Sequence, residues 1–316
     1  MSTQSPEGTP TTPPTGRWAG TPGGIGPIAY GCWRFAGGTL EESELKIRTA
    51  LDCGMNLIDT ADIYGYDGSE PAPRGGFGAA EELLGRVLSA GPSLREEIVL
   101  ATKGGITPPV PYDSGAGYLR AACEASLRRL GVDHVELYQV HRPDLLAHPA
   151  EVAGVLDDLV REGKVLSVGV SNYSVAQTTA LEAHLEAPLV STQPQFSALC
   201  LDPLTDGTLD HCMQRSMLPL AWSPLGGGRL LGGTGPDDDE RTVRVAAVCD
   251  RIAAERGTTR AAVLLAWVMA HPARCVPIIG TQDPERIRSC ARAVEVELSR
   301  SEWYEVLVAS RGEAMP

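Results

Sequence analysis

Four residues in the first half of the chain could do chemistry together: Asp59, Tyr64, Lys103 and His141. Asp59 lies near the end of an apolar run over 56–60, Tyr64 follows five residues later, Lys103 follows the run over 98–102, and His141 follows the run over 135–140. A strand-end Asp or His taken singly is more often a loop cap or a satisfied core group. Lys103 is harder to dismiss, because the chain has only three lysines (Lys46, Lys103, Lys164) and otherwise uses arginine. An amine kept at the mouth of an apolar strand supplies a compact charge that can shift a neighbour's pKa. Reducing a carbonyl needs a proton donor as hydride arrives, and a tyrosine with a pKa of about 10 is a weak one. An ammonium about 4 Å away, at an effective dielectric of about 20, stabilises the phenolate by about 4 kcal/mol. That is enough to draw Tyr64 toward neutral pH, where acid–base catalysis works best. In this scheme Asp59 holds Lys103 charged and oriented, and a neutral His141 donates to the carbonyl oxygen. No metal is needed.

Two other chemistries use the same residues. Lys103 as a Schiff-base nucleophile would make a lyase, but that role needs a depressed amine pKa, and a paired Asp59 would raise it. A metal hydrolase built on Asp59, Asp62 and His141 lacks the paired histidines expected of such sites.

The elements that must position these residues are legible as alternation. Short apolar runs fall at 28–32, 56–60, 98–102, 135–140, 165–170, 189–193, 218–222 and 275–279, and helical patterns such as 42–53, 79–88, 117–130, 149–161 and 175–185 lie between them. Eight strands alternating with helices predict a parallel, right-handed α/β arrangement, and eight strands close a (β/α)8 TIM barrel. A doubly wound open sheet would announce a dinucleotide site with G-x-G-x-x-G after its first strand, and no such match occurs. Two Gly- and Pro-rich stretches, 65–77 and 226–240, interrupt the pattern after strands two and seven. They either shape a pocket at the C-terminal face or are tolerated surface insertions.

The chain's 316 residues, 43% hydrophobic and 21% charged, suit one soluble barrel. Residues 1–16 read as a disordered tail preceding a single domain over 17–316. A net charge of −13 argues against nucleic acid or anionic membrane as a partner, and no apolar run reaches membrane-spanning length. Eight scattered cysteines without a C-x-x-C pair point to buried thiols in a reducing cytoplasm.

The motifs resemble those of the aldo-keto reductase family, over about 24–310. Asn-Leu-Ile-Asp-Thr-Ala-Asp-Ile-Tyr-Gly over 56–65 is similar to the signature around the family's catalytic Asp and Tyr. Ala-Thr-Lys-Gly over 101–104 and Gln-Val-His-Arg-Pro over 139–143 resemble the segments with its catalytic Lys and His. The resemblance implies that Ser171, Asn172 and Gln193 bind the nicotinamide carboxamide and that Phe196 stacks on its ring. It implies that Trp222, Ser223, Pro224, Leu225, Gly227 and Arg229 belong to the loop around the pyrophosphate. The segment Gly-Thr-Gln-Asp-Pro-Glu-Arg over 280–286 resembles the grip on the NADP 2′-phosphate, so Gly280, Thr281, Gln282, Arg286 and, beyond it, Cys290 are implied cofactor contacts. A basic residue common near the start of that segment is absent, and Ser289-Cys290 stands where a Glu-Asn pair usually holds adenine. One Arg and one hydroxyl still favour NADPH, without excluding NADH. The wording is nearest to bacterial members with short C-terminal tails.

The implied activity is reversible reduction of an aldehyde or ketone, with a small-molecule carbonyl substrate and an oligomeric state the sequence does not encode. The alternative is a non-catalytic NADPH-binding regulatory or redox-sensing subunit. Trp33, Trp222, the 65–77 insertion and the loop after Thr107 are expected to shape the substrate pocket, although both tryptophans also read as packing aromatics.

Overall fold

The computed structural model describes residues 24–69, 72, 74–232 and 239–316; the expected tail over 1–16 lies outside them. In chain order the elements are β1 (Ala29–Gly31), α1 (Leu40–Asp52), β2 (Leu57–Asp59), α2 (Ala79–Ala90), α3 (Pro92–Glu97), β3 (Val99–Gly104), α4 (Ala116–Leu130), β4 (Leu137–Val140), α5 (Pro149–Arg161), β5 (Val168–Ser171), α6 (Val175–Glu182), β6 (Leu189–Gln193), α7 (Thr208–Arg215), β7 (Leu218–Ala221), α8 (Glu240–Glu255), α9 (Arg260–Met269), β8 (Val276–Ile279), α10 (Pro284–Ala291) and α11 (Arg300–Arg311). The eight strands pair in parallel in sequence order and β8 returns to β1, closing the (β/α)8 barrel.

All eight apolar runs become strands. Those over 135–140 and 165–170 start late because Val135 and Val165 form only an isolated bridge before regular pairing begins. Several helices begin where a side chain can satisfy free N–H groups: Thr39, Ser174 and Ser299 close capping boxes on α1, α6 and α11.

Strand alternation explains why chemistry gathers at one end. Leu57, Val99, Ala101, Leu137, Leu218, Leu220, Val276 and Ile278 fill the barrel interior, while Ile58, Leu100, Tyr138 and Val140 pack outward under the helices. A barrel packed this way is solid below its rim. The inward positions that remain, at the C-terminal strand ends, are those of Asp59, Lys103 and His141.

The sixth strand needs a correction of phase to join them. Between Val168 and Gly169 the partner on β6 skips from Leu189 to Ser191. That bulge lets Val190 pack inside the barrel and still turns Ser191 and Gln193 inward. Without it, Gln193 would face the helices.

Candidate active site

The four strand-end residues come together at the rim. Lys103 is fully buried, and its Nζ donates to Asp59 Oδ2 at 2.8 Å, to the Thr60 carbonyl at 2.8 Å and to Tyr64 Oη at 3.1 Å. An ammonium has three hydrogens, and all three are used. The second Asp59 oxygen accepts from Gln193 Nε2 at 2.9 Å, so the bulged strand also holds the carboxylate. The rings of Tyr64 and His141 meet edge to face with centroids 5.9 Å apart.

Burial alone would lower the Lys103 pKa, but the Asp59 charge and the bonds to Asp59 and Tyr64 raise it above the ordinary value. The amine therefore stays charged and has no lone pair for a Schiff base. Burial, reinforced by the cations Lys103 and Arg142, holds His141 well below the usual histidine range, so its ring is neutral. Tyr64 differs from the expectation. Burial pushes the phenol up, and Lys103 opposes this without overcoming it, partly because Asp59 cancels its field. The site therefore holds Tyr64 protonated across neutral pH and does not draw it toward phenolate. A proton donor needs its proton present, and the ammonium can stabilise the phenolate as it forms.

Beside these residues opens a cleft of about 860 Å³, within the range of small-molecule sites. Its floor includes Asp59, Tyr64 and His141, and its walls include Ser171, Asn172, Gln193 and Trp222. Asn172 ties the rim together. It adopts a left-handed backbone (φ 60°), which Asn tolerates better than most residues. Its Nδ2 donates to the His141 carbonyl and to Ser171 Oγ, and its Oδ1 accepts from Trp222 Nε1 at 2.9 Å. Ser223, Pro224, Leu225 and Gly227 continue the wall. Gly226, Gly227 and Gly228 all have positive φ, so this turn can present bare backbone to the cleft. At the far end lie Gly280, Thr281, Gln282, Arg286 and Cys290, together with Ser289. The Arg286 side chain is three-quarters exposed and only loosely paired with Asp283, at 3.6 Å.

Two expected cofactor residues are elsewhere. Phe196 is fully buried against Trp267, with ring centroids 5.4 Å apart, because the chain after β6 bends outward where Gln195 bridges to Trp222. The aromatic face on the cleft at this level is Trp222. Arg229 is drawn off by Asp239 and Thr242 at the start of α8, to which its Nη2 donates. The 65–77 insertion and the loop after Thr107 contribute no described residue to the cleft, whereas Trp33 does. The sequence reading missed Arg34 and Arg142, which also line it. Arg34 lies over the Trp33 ring (4.9 Å) and Arg142 over the Trp222 ring (5.6 Å). Their adjacency to Trp33 and His141 was the available signal.

Asp62 does not join Asp59 and His141. It is buried beside Glu81 and Arg129, away from the cleft, and among the described residues no cluster of three or more His, Cys, Asp or Glu side chains could hold a metal. No helix among them is long and apolar enough to cross a membrane.

Comparison with known proteins accords with this geometry. The model of the aldo/keto reductase family matches residues 27–308. A 6-dehydroglucose reductase of Novosphingobium aromaticivorans is 50% identical over 307 residues, covering 96% of this chain and 98% of the relative. A 6-dehydroglucose reductase of Agrobacterium fabrum is 38% identical, covering 90% and 94%. Among solved structures, a glycerol dehydrogenase from Gluconobacter oxydans superposes with a TM-score of 0.82 at 25% identity, covering 95% and 97%. An aldo/keto reductase from Klebsiella pneumoniae in complex with NADP and acetate gives 0.72 at 28% identity, covering 89% and 90%.

Proposed function

Because this chain belongs to the aldo/keto reductase family and its curated relatives are oxidoreductases, we propose that it reduces the aldehyde of an oxidised sugar with NADPH, Tyr64 acting as the general acid. The observation that carries the proposal is the bridging amine: one buried ammonium bonded at once to Asp59 and to Tyr64 Oη, beside an open cleft.

The cleft suits a nicotinamide dinucleotide. Ser171, Asn172 and Gln193 offer polar atoms at one end, Trp222 offers a flat face, and the buried Oε1 of Gln282 lacks a protein partner at the other. When bound, the cofactor supplies the hydride. The chain's own residues do the rest. His141, neutral, holds the substrate oxygen near Tyr64. Tyr64 delivers its proton to that oxygen as negative charge develops, and Lys103 stabilises the phenolate left behind. Asp59 keeps Lys103 in place, and Gln193 keeps Asp59 in place. Reprotonation of Tyr64 from solvent completes the cycle.

The exposed guanidinium of Arg286 is suited to the 2′-phosphate, which it can bind bidentately. Arg286→Ala should raise the dissociation constant of NADPH by about ten- to a hundredfold, the loss of a hydrogen bond to a charged group, and leave NADH nearly unchanged. Equal effects on both cofactors would place the 2′-phosphate elsewhere.

The substrate end fits a polyhydroxylated aldehyde. Trp33 presents a ring face for a sugar's C–H surface, and Arg34 and Arg142 present donors for its hydroxyls. The names of the two curated relatives point to the same class. The test is NADPH oxidation with 6-dehydroglucose against an apolar aldehyde of similar size. A site built to bond hydroxyls should favour the sugar by at least about a hundredfold in kcat/KM. Equal rates, or none with the sugar, would overturn the substrate assignment.

A further inference from the structure

A second cavity, of about 900 Å³, opens on the outside of the barrel between Arg74 and Gly75, Gly37 and Gly38, α2 and the C-terminal end of α4. Four arginines line it: Arg74, Arg86, Arg128 and Arg129. Arg129 is committed to Glu81, to which its Nε donates at 2.7 Å. Arg74, Arg86 and Arg128 pair with no carboxylate among the described residues, whereas most of the chain's other described arginines do. In a chain of net charge −13, three guanidinium groups without an ion pair border this one hollow, Arg74 acting on Asp67 and Arg128 on Glu124 only through space.

The ground beneath Gly38, at the cavity edge, carries the same sign. A Cβ there would come 3.4 Å from Lys46 Nζ and 3.2 Å from Ser43 Oγ. Lys46 is buried without an ion pair, and Ser43 Oγ is buried without any hydrogen-bond partner. Opposing charges are Glu82, which lines the cavity, and, outside its lining, Glu42, whose carboxylate accepts from the Thr39 backbone, Asp67, which feels Arg74, and Glu124, which feels Arg128. Arg74, Arg86 and Arg128, backed by buried Lys46 and none of them in an ion pair among the described residues, thus gather around a cavity whose wall carries one carboxylate, Glu82.

The walls are bare where a ligand would approach, since Gly37, Gly38, Gly75, Gly85 and Gly131 all contribute. Gly85 is also what brings the arginines together. A Cβ at that position would lie 2.2 Å from the Arg129 carbonyl, so only glycine lets α2 settle onto α4 with Arg86 beside Arg128 and Arg129.

We propose that this cavity is a binding site for a multiply charged phosphate-bearing metabolite, separate from the cofactor cleft. Guanidinium groups grip phosphate oxygens through paired, charge-assisted bonds. A diphosphate or bisphosphate matches several converging guanidiniums better than a single-charge anion does. The site adjoins the catalytic loop: Ala79 lines it, and the next residue, Ala80, donates its N–H to the Tyr64 carbonyl at 3.1 Å.

The test is calorimetric titration of inorganic pyrophosphate into the NADPH-saturated protein, with the nucleotide cleft thereby filled, at ionic strength matched with chloride. One saturable site is expected, binding pyrophosphate about tenfold more tightly than orthophosphate. The double substitution Arg86→Gln with Arg128→Gln should weaken it at least about tenfold and leave NADPH affinity unchanged, while Glu82→Gln should tighten it severalfold. No saturable binding, indifference to the double substitution, weaker binding in Glu82→Gln, or equal affinity for the two anions would each overturn the proposal. These readouts need no carbonyl substrate, so they stand or fall apart from the proposed reductase activity.

Discussion

Replacing Tyr64 by Phe should lower the rate of carbonyl reduction by at least about a hundredfold, the low end for removing a general acid, while NADPH still quenches tryptophan fluorescence with its original affinity. The change removes one oxygen. The ring keeps its place against His141, and Lys103 keeps its bonds to Asp59 and the Thr60 carbonyl. Structure and cofactor binding therefore have little reason to change, and the loss isolates proton transfer. The pH profile supplies a second check. Burial raises the Tyr64 pKa, so the donor is lost only as pH climbs through that raised value. For the unaltered protein, kcat/KM for reduction should stay level through neutral pH and fall only on the alkaline side. A rate unchanged in Tyr64→Phe would remove Tyr64 from the mechanism, and a decline beginning at neutral pH would contradict a protonated, burial-stabilised phenol.

The second large effect joins stability to activity. Lys103→Met leaves Asp59, with a side chain only 3% exposed, buried without its counter-charge. Breaking a buried pair by removing one partner costs about 3–5 kcal/mol, because the orphaned charge remains in low dielectric. Urea unfolding should record a loss of that size, together with loss of turnover. Adding Asp59→Asn to Lys103→Met removes the orphaned charge and should restore much of the stability. Turnover should not return, because no ammonium remains to stabilise the Tyr64 phenolate. Equal stability of the single and double variants would show that charge pairing is not what the buried amine contributes.

The contrast between what the sequence discloses and what it conceals follows from distance along the chain. Strand ends and their side chains are local features: period-two alternation places Asp59, Lys103 and His141 inward, and each follows its own apolar run. The Gln193–Asp59 bond spans 134 residues and depends on a bulge in β6, for which the run 189–193 gives no sign. Phe196 illustrates the opposite hazard. Motif order correctly places it just beyond β6, but whether an aromatic ring faces cofactor or core depends on how the chain leaves the strand. Here it leaves toward Trp267. Arg229 lies off the cleft lining for a similar reason: Asp239, ten residues away, holds it. The direction of the Tyr64 shift was illegible because desolvation is a property of the assembled rim, while the Lys103 charge that opposes it can be read from one position.

The sealing of Lys103 has a consequence for a protein that handles reactive carbonyls. Aldehydes condense with free amines, and a sugar aldehyde retained near a nucleophilic lysine would glycate it. Two of the three lysines are withdrawn: Lys103 has every hydrogen engaged and Lys46 is buried, while Lys164, paired with Glu124 and Glu162, stays at the surface. The amine assigned to the proposed proton transfer thus keeps no free lone pair for a carbonyl compound, and the chain holds only two other lysines for such a compound to attack.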